Sequence, residues 1–593
     1  MQNIKSKIAA AVVSAISEAF PASAISDNGI ACDKVNDIIS YLEYPPERDM
    51  GDLAMPCFRF SRELKTAPPK IAAEIDAKIK SSGSLDGIAE CSVAGGYLNF
   101  RIAPQYLTDV TMNEIISAGD DYGRGSEGSG KTIVLDYSSP NVAKPFHIGH
   151  LGTTVIGHSL KKLFAFRGYN CVGINHLGDW GTQFGKMIVA YRLWGDREKI
   201  EAGGIDELVA LYVKFHSEAE ANPELETQAR AEFHKLECGD EENLALWRWF
   251  IDVSFKEYNV TYKQLGIEFD SYNGESFYTD KMPEQVELLR EKNLLKLDDG
   301  ASIVDLSEYN MPPCLILKSD GSTLYPTRDI AAAVYRKRTY DFDKCIYVTS
   351  SAQSLHFAQW FRVVQLMGYD WYDKLVHVPY GTVSINGEKL ATRTGNVILL
   401  KDLFRVAIEK VSEIISVKNP SLSGEERAET AEAVGVGAII FYYLASNRIR
   451  DINFNIDDAL NFEGNTGPYA MYTYARTCSI KKRADTVSDE ASAKSEEIAN
   501  GYTSVCREER ELLITLSRFN EAIDSALRDY EPSVITRYIL DLCADFNRFY
   551  HECPIFTAPD QKTKSFRLNL TSAVNSVLGN ALELICMKRT EKI

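Results

Sequence analysis

No Cys-x-x-Cys pair occurs in this chain, and none of its twelve cysteines joins a Cys/His cluster with zinc spacing. That excludes a disulfide-stapled miniprotein and a zinc-built scaffold, and scattered cysteines from Cys32 to Cys586 suit a reducing compartment. Long apolar runs are missing too: none approaches the ~18–20 residues of a membrane span. There is no fixed-period repeat and no long low-complexity tract. Positive charge is in deficit, with 65 Lys and Arg against 83 Asp and Glu, a net charge of −18 and a pI near 5.2. So acidic a chain does not coat nucleic acid with its whole surface; any such contact has to be a local basic track.

What is present is ample material for cores. The 593 residues are 45% apolar and 25% charged, a globular balance sufficient for several domains. Lys5 and Lys7 precede the apolar run Ile8–Ile16, and Ala22-Ser23-Ala24 has the look of a cleavage site. However, Ile4, Ile8, Ala11, Val12 and Ile16 recur at helical spacing, which favours an amphipathic opening helix over a secretory signal. Residues 1–105 read as a small α+β domain that ends in the alternating strand Gly95–Ile102. Residues 106–131 read as a linker, Gly/Ser/Asp-rich over Gly119–Gly130. From 132 to 400, strand, helix and strand patterns alternate as in a parallel α/β sheet, with helical inserts expected at about 186–250 and 276–322. Residues 401–593 read as helical, with a final bundle from about 455 and a polar stretch at Val487–Glu497.

One motif match is set aside on mechanism. Gly125–Thr132 satisfies G-x-x-x-x-G-K-[ST], but a phosphate loop needs a strand before it and a helix after it. Here a helical segment precedes and a strand follows, so the linker reading is preferred.

The densest chemical signal is Ser138-Ser139-Pro140-Asn141-Val142-Ala143-Lys144-Pro145-Phe146-His147-Ile148-Gly149-His150. It lies between the first strand of the α/β region and its helix, where an open sheet places ligands. Pro145 suits a helix start. His147 and His150, three apart, share one helical face, and Gly149 leaves room for a flat ring. Two imidazoles at a helix N-terminus can meet charge developing on a phosphate.

His147–His150 resembles the His-Ile-Gly-His signature of the class I aminoacyl-tRNA synthetases. Four further blocks resemble the arginyl-tRNA synthetases in particular: Asp136–Asn141, His176–Gly185, Tyr325–Ile330 and Glu463–Tyr469. The resemblance covers essentially the whole chain and is weakest around 190–320. It implies a Rossmann-type parallel-sheet catalytic domain with helical insertions, a small α+β N-terminal domain that contacts the tRNA elbow, and an all-α anticodon-binding domain. The implied reaction is ATP-dependent ligation of L-arginine to tRNA(Arg) through an enzyme-bound adenylate, with Mg²⁺ accompanying ATP.

By the same resemblance, Asp136 and Asp329 hold the substrate guanidinium with Tyr325 beside it. A carboxylate matches that planar fork. Asn141 and Gln353 fix the α-amino and carboxylate end, and Ser138 joins the arginine site. Pro145, His147, Gly149 and His150 line the ATP site, with His147, His150 and Lys144 as transition-state stabilisers. The second nucleotide loop matches Lys389–Gly395, with Lys389 and Arg393 as its cations. Thr392 stands where class I enzymes generally carry a second lysine, and Lys144 is implied to compensate.

For tRNA, Tyr97 and Asn99 match the elbow-contacting positions. Tyr469, Tyr472, Tyr474 and Arg476 combine aromatics with a cation, as in recognition of splayed bases. Arg448, Arg450 and Lys481–Arg483 supply the expected basic track. A monomeric cytoplasmic enzyme without a membrane segment is expected. Two rivals share some of these features: a small-molecule adenylyl transferase, which needs no Tyr/Arg-rich helical C-terminus, and a silent tRNA-binding paralogue, which needs no intact histidine pair.

Overall fold

A computed structural model describes residues 1–21, 31–83, 85–385, 387–389, 398–487, 502 and 505–593, with the backbone alone at residues 2, 31–33, 388–389 and 487. The chain forms two compact units. The first combines Met1–Tyr122 with Arg476–Ala522 and Tyr538–Asn580; the second combines Gly123–Ala475 with Ile523–Arg537 and Ala581–Ile593.

In the first unit, strands β1 (Leu53–Pro56), β2 (Ile88–Ala94) and β3 (Tyr97–Ile102) form an antiparallel sheet in the order β1-β3-β2. The opening helix Gln2–Ala19 buries Ile4, Ile8, Val12 and Ile16, at most 2% exposed. This is the stripe expected of an amphipathic domain helix. The helix Pro104–Ala118 occupies the first half of the expected linker. Pro104 sets its start, and Leu107, Met112 and Ile115 bury its inner face. The C-terminal helices Arg507–Ser517 and Ser533–Glu552 supply buried partners within this unit. Arg510 pairs with Asp52, and Arg48 reaches Asp545 at 3.1 Å.

The second unit contains the expected parallel sheet. β4 (Thr132–Asp136) is a buried β-branched run, followed by the helix Ile148–Phe166 and β5 (Asn170–Ile174). Next come the insert helices Thr182–Trp194, Arg197–Gly203, Ile205–Ala221, Glu224–Glu237 and Glu241–Leu265. The second insert is not chiefly helical. After the helix Met282–Glu291 it forms an antiparallel sheet of β6 (Leu295–Asp298), β7 (Ala301–Val304) and β8 (Cys314–Leu317). These four-residue strands are too short to display a clear alternation.

β9 (Lys344–Ser350) and β10 (Leu375–Tyr380) complete the main sheet, whose order is β10-β9-β4-β5 with every pairing parallel. β5 therefore lies on one side of β4 and β9 on the other. The carboxyl ends of β4 and β9 form a topological switch point, the position where such sheets take ligands. Below it, Val134, Ile174, Ile330, Phe342, Tyr347 and Trp360 belong to one buried core.

A smaller sheet joins β11 (Val383–Ile385), β12 (Glu388–Lys389) and β13 (Ile452–Phe454), so the region after 401 is not purely helical. The phosphate-loop lookalike is a turn. Lys131 Nζ bonds Glu127 O at 3.1 Å, and β4 begins at the next residue. Of the described helices, none is long and apolar enough to cross a membrane.

Candidate active site

The segment that leaves β4 is held in a demanding backbone conformation. Ser138, Ser139 and Ala143 adopt left-handed φ values of 73°, 49° and 58°. Such conformations persist in non-glycine residues only where the surroundings over-determine them, and they gather at functional sites. The supports are explicit. Ser138 N–H donates to Thr153 Oγ1 (3.0 Å), Ser139 N–H to Asn175 Oδ1 (3.1 Å) and Ala143 N–H to Ser254 Oγ (3.1 Å). The Ser138 hydroxyl is buried between Thr154 Oγ1 (2.9 Å) and Tyr262 OH (2.8 Å). Ser138 thus anchors the segment, its hydroxyl bonded on two sides. Asn141 is exposed and its backbone bridges to Gly178, where an added Cβ would lie 2.1 Å from Asn141 Oδ1.

His147 caps the helix Ile148–Phe166. Its Nδ1 accepts the Gly149 N–H at 3.0 Å, while His150 Nδ1 accepts the His147 N–H at 3.2 Å. Because both Nδ1 atoms are acceptors, each neutral ring carries its proton on Nε2 and offers one N–H donor. Burial and the Lys144 charge push His147 down to about 4; burial, then His147, push His150 down to about 3. At neutral pH the pair is therefore a set of uncharged donors, with ring centroids 3.9 Å apart. Pro145 is half-buried and Lys144 exposed beside them.

At the switch point carboxylates gather. Asp136 ends β4 and is 8% exposed; its Oδ2 pairs with the buried Arg336 at 2.8 Å and its Oδ1 accepts from Ser139 Oγ at 3.0 Å. Arg336 Nη2 also lies 3.3 Å from His176 Nδ1. Asp136 is therefore engaged internally, and its reach toward a substrate guanidinium is limited by Arg336. Asp329, from the helix Tyr325–Tyr340, accepts from His356 Nε2 at 2.5 Å. A carboxylate offers about four acceptor sites, so capacity remains.

Two carboxylates missed by the sequence reading complete the cluster. Glu275 pairs with Arg328 at 3.0 Å; burial, set against the Arg328 charge and reinforced by Asp329 and Asp179, raises it to about 7. Asp179 accepts from Ser276 N (2.8 Å) and Oγ (2.6 Å), and burial raises it as well. Glu275 lies between the two expected inserts, outside the motif blocks, at the start of the short 3-10 helix Glu275–Lys281. Tyr325 (67% exposed) starts the helix that carries Asp329, and Gln353 ends the short 3-10 turn after β9, three residues before His356.

Lys389, Thr392 and Arg393 lie outside the described residues, Lys389 by its side chain. The described anchors of their loop are informative. β12 pairs with β11 upstream, and downstream Ile148 N–H donates to Ile398 O (3.2 Å) and Leu400 N–H to Phe146 O (2.9 Å). The described residues Ile398–Leu400 thus lie directly against the signature segment.

The residues expected to touch tRNA divide into exposed and engaged. Tyr97 (38% exposed) and Tyr472 (39%) present rings to solvent, Arg450 is exposed and Tyr469 half-buried. Asn99 is 4% exposed within β3 and Tyr474 6% exposed within its helix, so neither is an open surface contact. Arg448 is a staple: its guanidinium donates to Tyr530 O (2.9 Å), Pro379 O (3.0 Å) and Asp529 O (3.3 Å). Arg476 bonds Asn547 Oδ1 and lies 5.2 Å from the Tyr550 ring centroid.

Comparison with known proteins agrees along the chain. Residues 111–456 match the class I (R) tRNA synthetase catalytic domain, 470–593 the DALR anticodon binding domain, and 2–102 the arginyl tRNA synthetase N-terminal domain. An arginine–tRNA ligase of Alkaliphilus metalliredigens is 49% identical, over 94% of this chain and 96% of that protein. One from Clostridioides difficile is 47% identical, over 94% and 96%. The solved arginyl-tRNA synthetase of Thermus thermophilus has the same fold, with a TM-score of 0.79 and 23% identity over 93% of this chain and 96% of that one. With signature histidines, switch-point carboxylates and all three domain types in one order, the chain belongs to the arginyl-tRNA synthetase family of class I synthetases.

Proposed function

We propose that this chain ligates L-arginine to tRNA(Arg) in two steps: ATP and arginine give an enzyme-bound arginyl-adenylate and pyrophosphate, and the acyl group then passes to the terminal ribose of the tRNA. The observation that carries this reading is a cluster of carboxylates from three chain segments together with a neutral Nε2–H pair on the segment that leaves β4 at the switch point. The carboxylates suit a guanidinium; the imidazole donors suit the α-phosphate, where negative charge grows as the arginine carboxylate attacks.

In this reading Asp329 and Glu275 receive the guanidinium beside Tyr325. Asp136, fixed by Arg336, shapes the floor, and Asn141 and Gln353 hold the amino-acid end. Little covalent work falls to the protein: His147 and His150 donate to the phosphate and Lys144 supplies a mobile positive charge. Lys389 and Arg393 complete the nucleotide site from their loop. Mg²⁺ arrives with ATP as part of that substrate. Exposed Tyr97, Tyr472 and Arg450 are the tRNA contacts this reading retains, and it takes the enzyme as a cytoplasmic monomer. The test is arginine-dependent ATP–pyrophosphate exchange, with and without tRNA. Exchange driven equally by lysine would overturn the arginine assignment. His147→Ala should lose exchange by about 10²–10³-fold while still binding tRNA.

A further inference from the structure

In the first unit, Cys506 Sγ lies 3.3 Å from Cys553 Sγ, and no other two cysteines among the described residues are in such contact. The sulfurs do not hold this arrangement by themselves. Cys506 caps the helix Arg507–Ser517: its sulfur accepts the Glu509 N–H, and its own N–H donates to Glu509 Oε2 at 2.9 Å. Arg567 then joins the two cysteine-bearing segments, donating through Nε to Glu509 Oε1 (2.7 Å) and through Nη1 to Pro554 O (2.7 Å). Tyr502, four residues before Cys506, stacks on Phe566 with centroids 4.1 Å apart and planes 16° apart. Both backbones are thus fixed by an ion pair, the Cys506 N–H bond to Glu509 and a ring stack, none of which depends on the sulfurs.

We propose that Cys506 and Cys553 form a reversible dithiol–disulfide site, oxidised by a small-molecule disulfide such as oxidised glutathione. Cys506 is half-exposed and Cys553 is 3% exposed, which assigns the order of events. Burial raises both thiols, so attack draws on a minor thiolate population, which the Glu509 N–H at the helix N-terminus favours at Cys506 and the Arg567 guanidinium favours at Cys553. The Cys506 thiolate attacks one sulfur of the glutathione disulfide, forming a mixed disulfide and expelling one glutathione thiolate. Cys553 then gives up its proton, with the Glu508 carboxylate within 4.8 Å of both sulfurs as the nearby acceptor, and attacks Cys506 Sγ. The second glutathione leaves, so the two protein thiols are oxidised and one disulfide is reduced to two thiols. Because the sulfurs are already in contact, the second step draws on a high effective concentration and outruns release of the mixed adduct. The bridge ties the start of the helix Arg507–Ser517 to the end of the helix Ser533–Glu552.

The test is equilibration of the full-length protein across a series of reduced-to-oxidised glutathione ratios, with chelator present, followed by acid quench, alkylation and peptide mapping. A cross-linked Cys506–Cys553 peptide should appear in a single transition and revert with excess reduced glutathione. Oxidised protein should melt above reduced protein, a difference absent from Cys506→Ser. Cys553→Ala should instead accumulate glutathione on Cys506. Full alkylation of both cysteines at the most oxidising ratio, or arrest of the parent chain at a Cys506–glutathione adduct, would overturn the proposal. Reduced Cys506→Ser and Cys553→Ser should aminoacylate at the parent rate, which separates this site from the active-site reading.

Discussion

The carboxyl end of the parallel sheet and the C-terminal helices handle arginine in opposite ways. At the sheet end, Asp136 pairs with Arg336, Glu275 with Arg328, Asp329 with His356, and Asp179 is held by Ser276, so among the described residues four carboxylates share two guanidinium groups. In the C-terminal region each guanidinium is itself taken up by protein acceptors. Arg448 is shared by three carbonyls, Arg548 bonds Glu511 at 2.6 Å, and Arg567 bonds Glu509 at 2.7 Å. A site that must admit one more guanidinium leaves acceptor capacity over; arginines that hold the fold together are spent on it. A cationic residue type in a sequence therefore says little about a polyanion contact until its partners are known.

The largest test of that contrast is Arg336. Replacing it with Met should destabilise the protein by about 3–5 kcal/mol, because Asp136 is left buried and unpaired. Urea unfolding checks this, and Asp136→Asn in the same chain should recover much of the loss. Unchanged stability would mean the sheet-end charges are not held as described. Asp329→Asn comes next: kcat/KM for arginine should fall by about 10²–10³-fold, the consequence of removing one partner of a close charge pair. The KM for ATP and the circular dichroism spectrum should stay at parent values. In the helices, Arg448→Ala should lower stability by about 1.5–3 kcal/mol through its lost charged hydrogen bonds and leave the KM for tRNA unchanged. A rise in that KM at parent stability would return Arg448 to the tRNA surface and break the contrast.

The same contrast explains what could be read without coordinates. The signature helix and the strand before it were legible because their signals are local: a β-branched run, a proline, two histidines at helical spacing. Asp329 was legible from its block. The roles of Ser138, Asn99 and Arg448 were not, since each is decided by remote partners or by burial: Thr154 and Tyr262 for Ser138, Tyr530 and Pro379 for Arg448. The insert sheet β6–β8 escaped because strands of four residues carry too few alternations. Glu275 escaped for a different reason. Nothing in its sequence neighbourhood announces a ligand group; tertiary folding alone brings it beside Arg328 and Asp329.

Glu275 also gives the smallest and most discriminating effect. Burial holds it at about 7 in the arginine-free protein. As pH falls through that value it takes a proton, the pocket loses one negative charge, and kcat/KM for arginine should decline by at most about tenfold per pH unit. The histidines contribute no break there, since His147 and His150 stay neutral down to about 4 and about 3. In Glu275→Gln the profile should flatten at a lowered plateau; a break that persists near pH 7 would assign the titration to another group. Stability must run the other way. A carboxyl group raised in the folded state binds its proton more tightly there than in the unfolded chain, so its contribution is full at low pH and is lost as pH rises through about 7. Glu275→Gln, which copies the neutral form, should therefore melt above the parent at pH 8 and level with it at pH 5. A charge that binds substrate best where it stabilises the fold least is what a surplus acceptor at this sheet end requires.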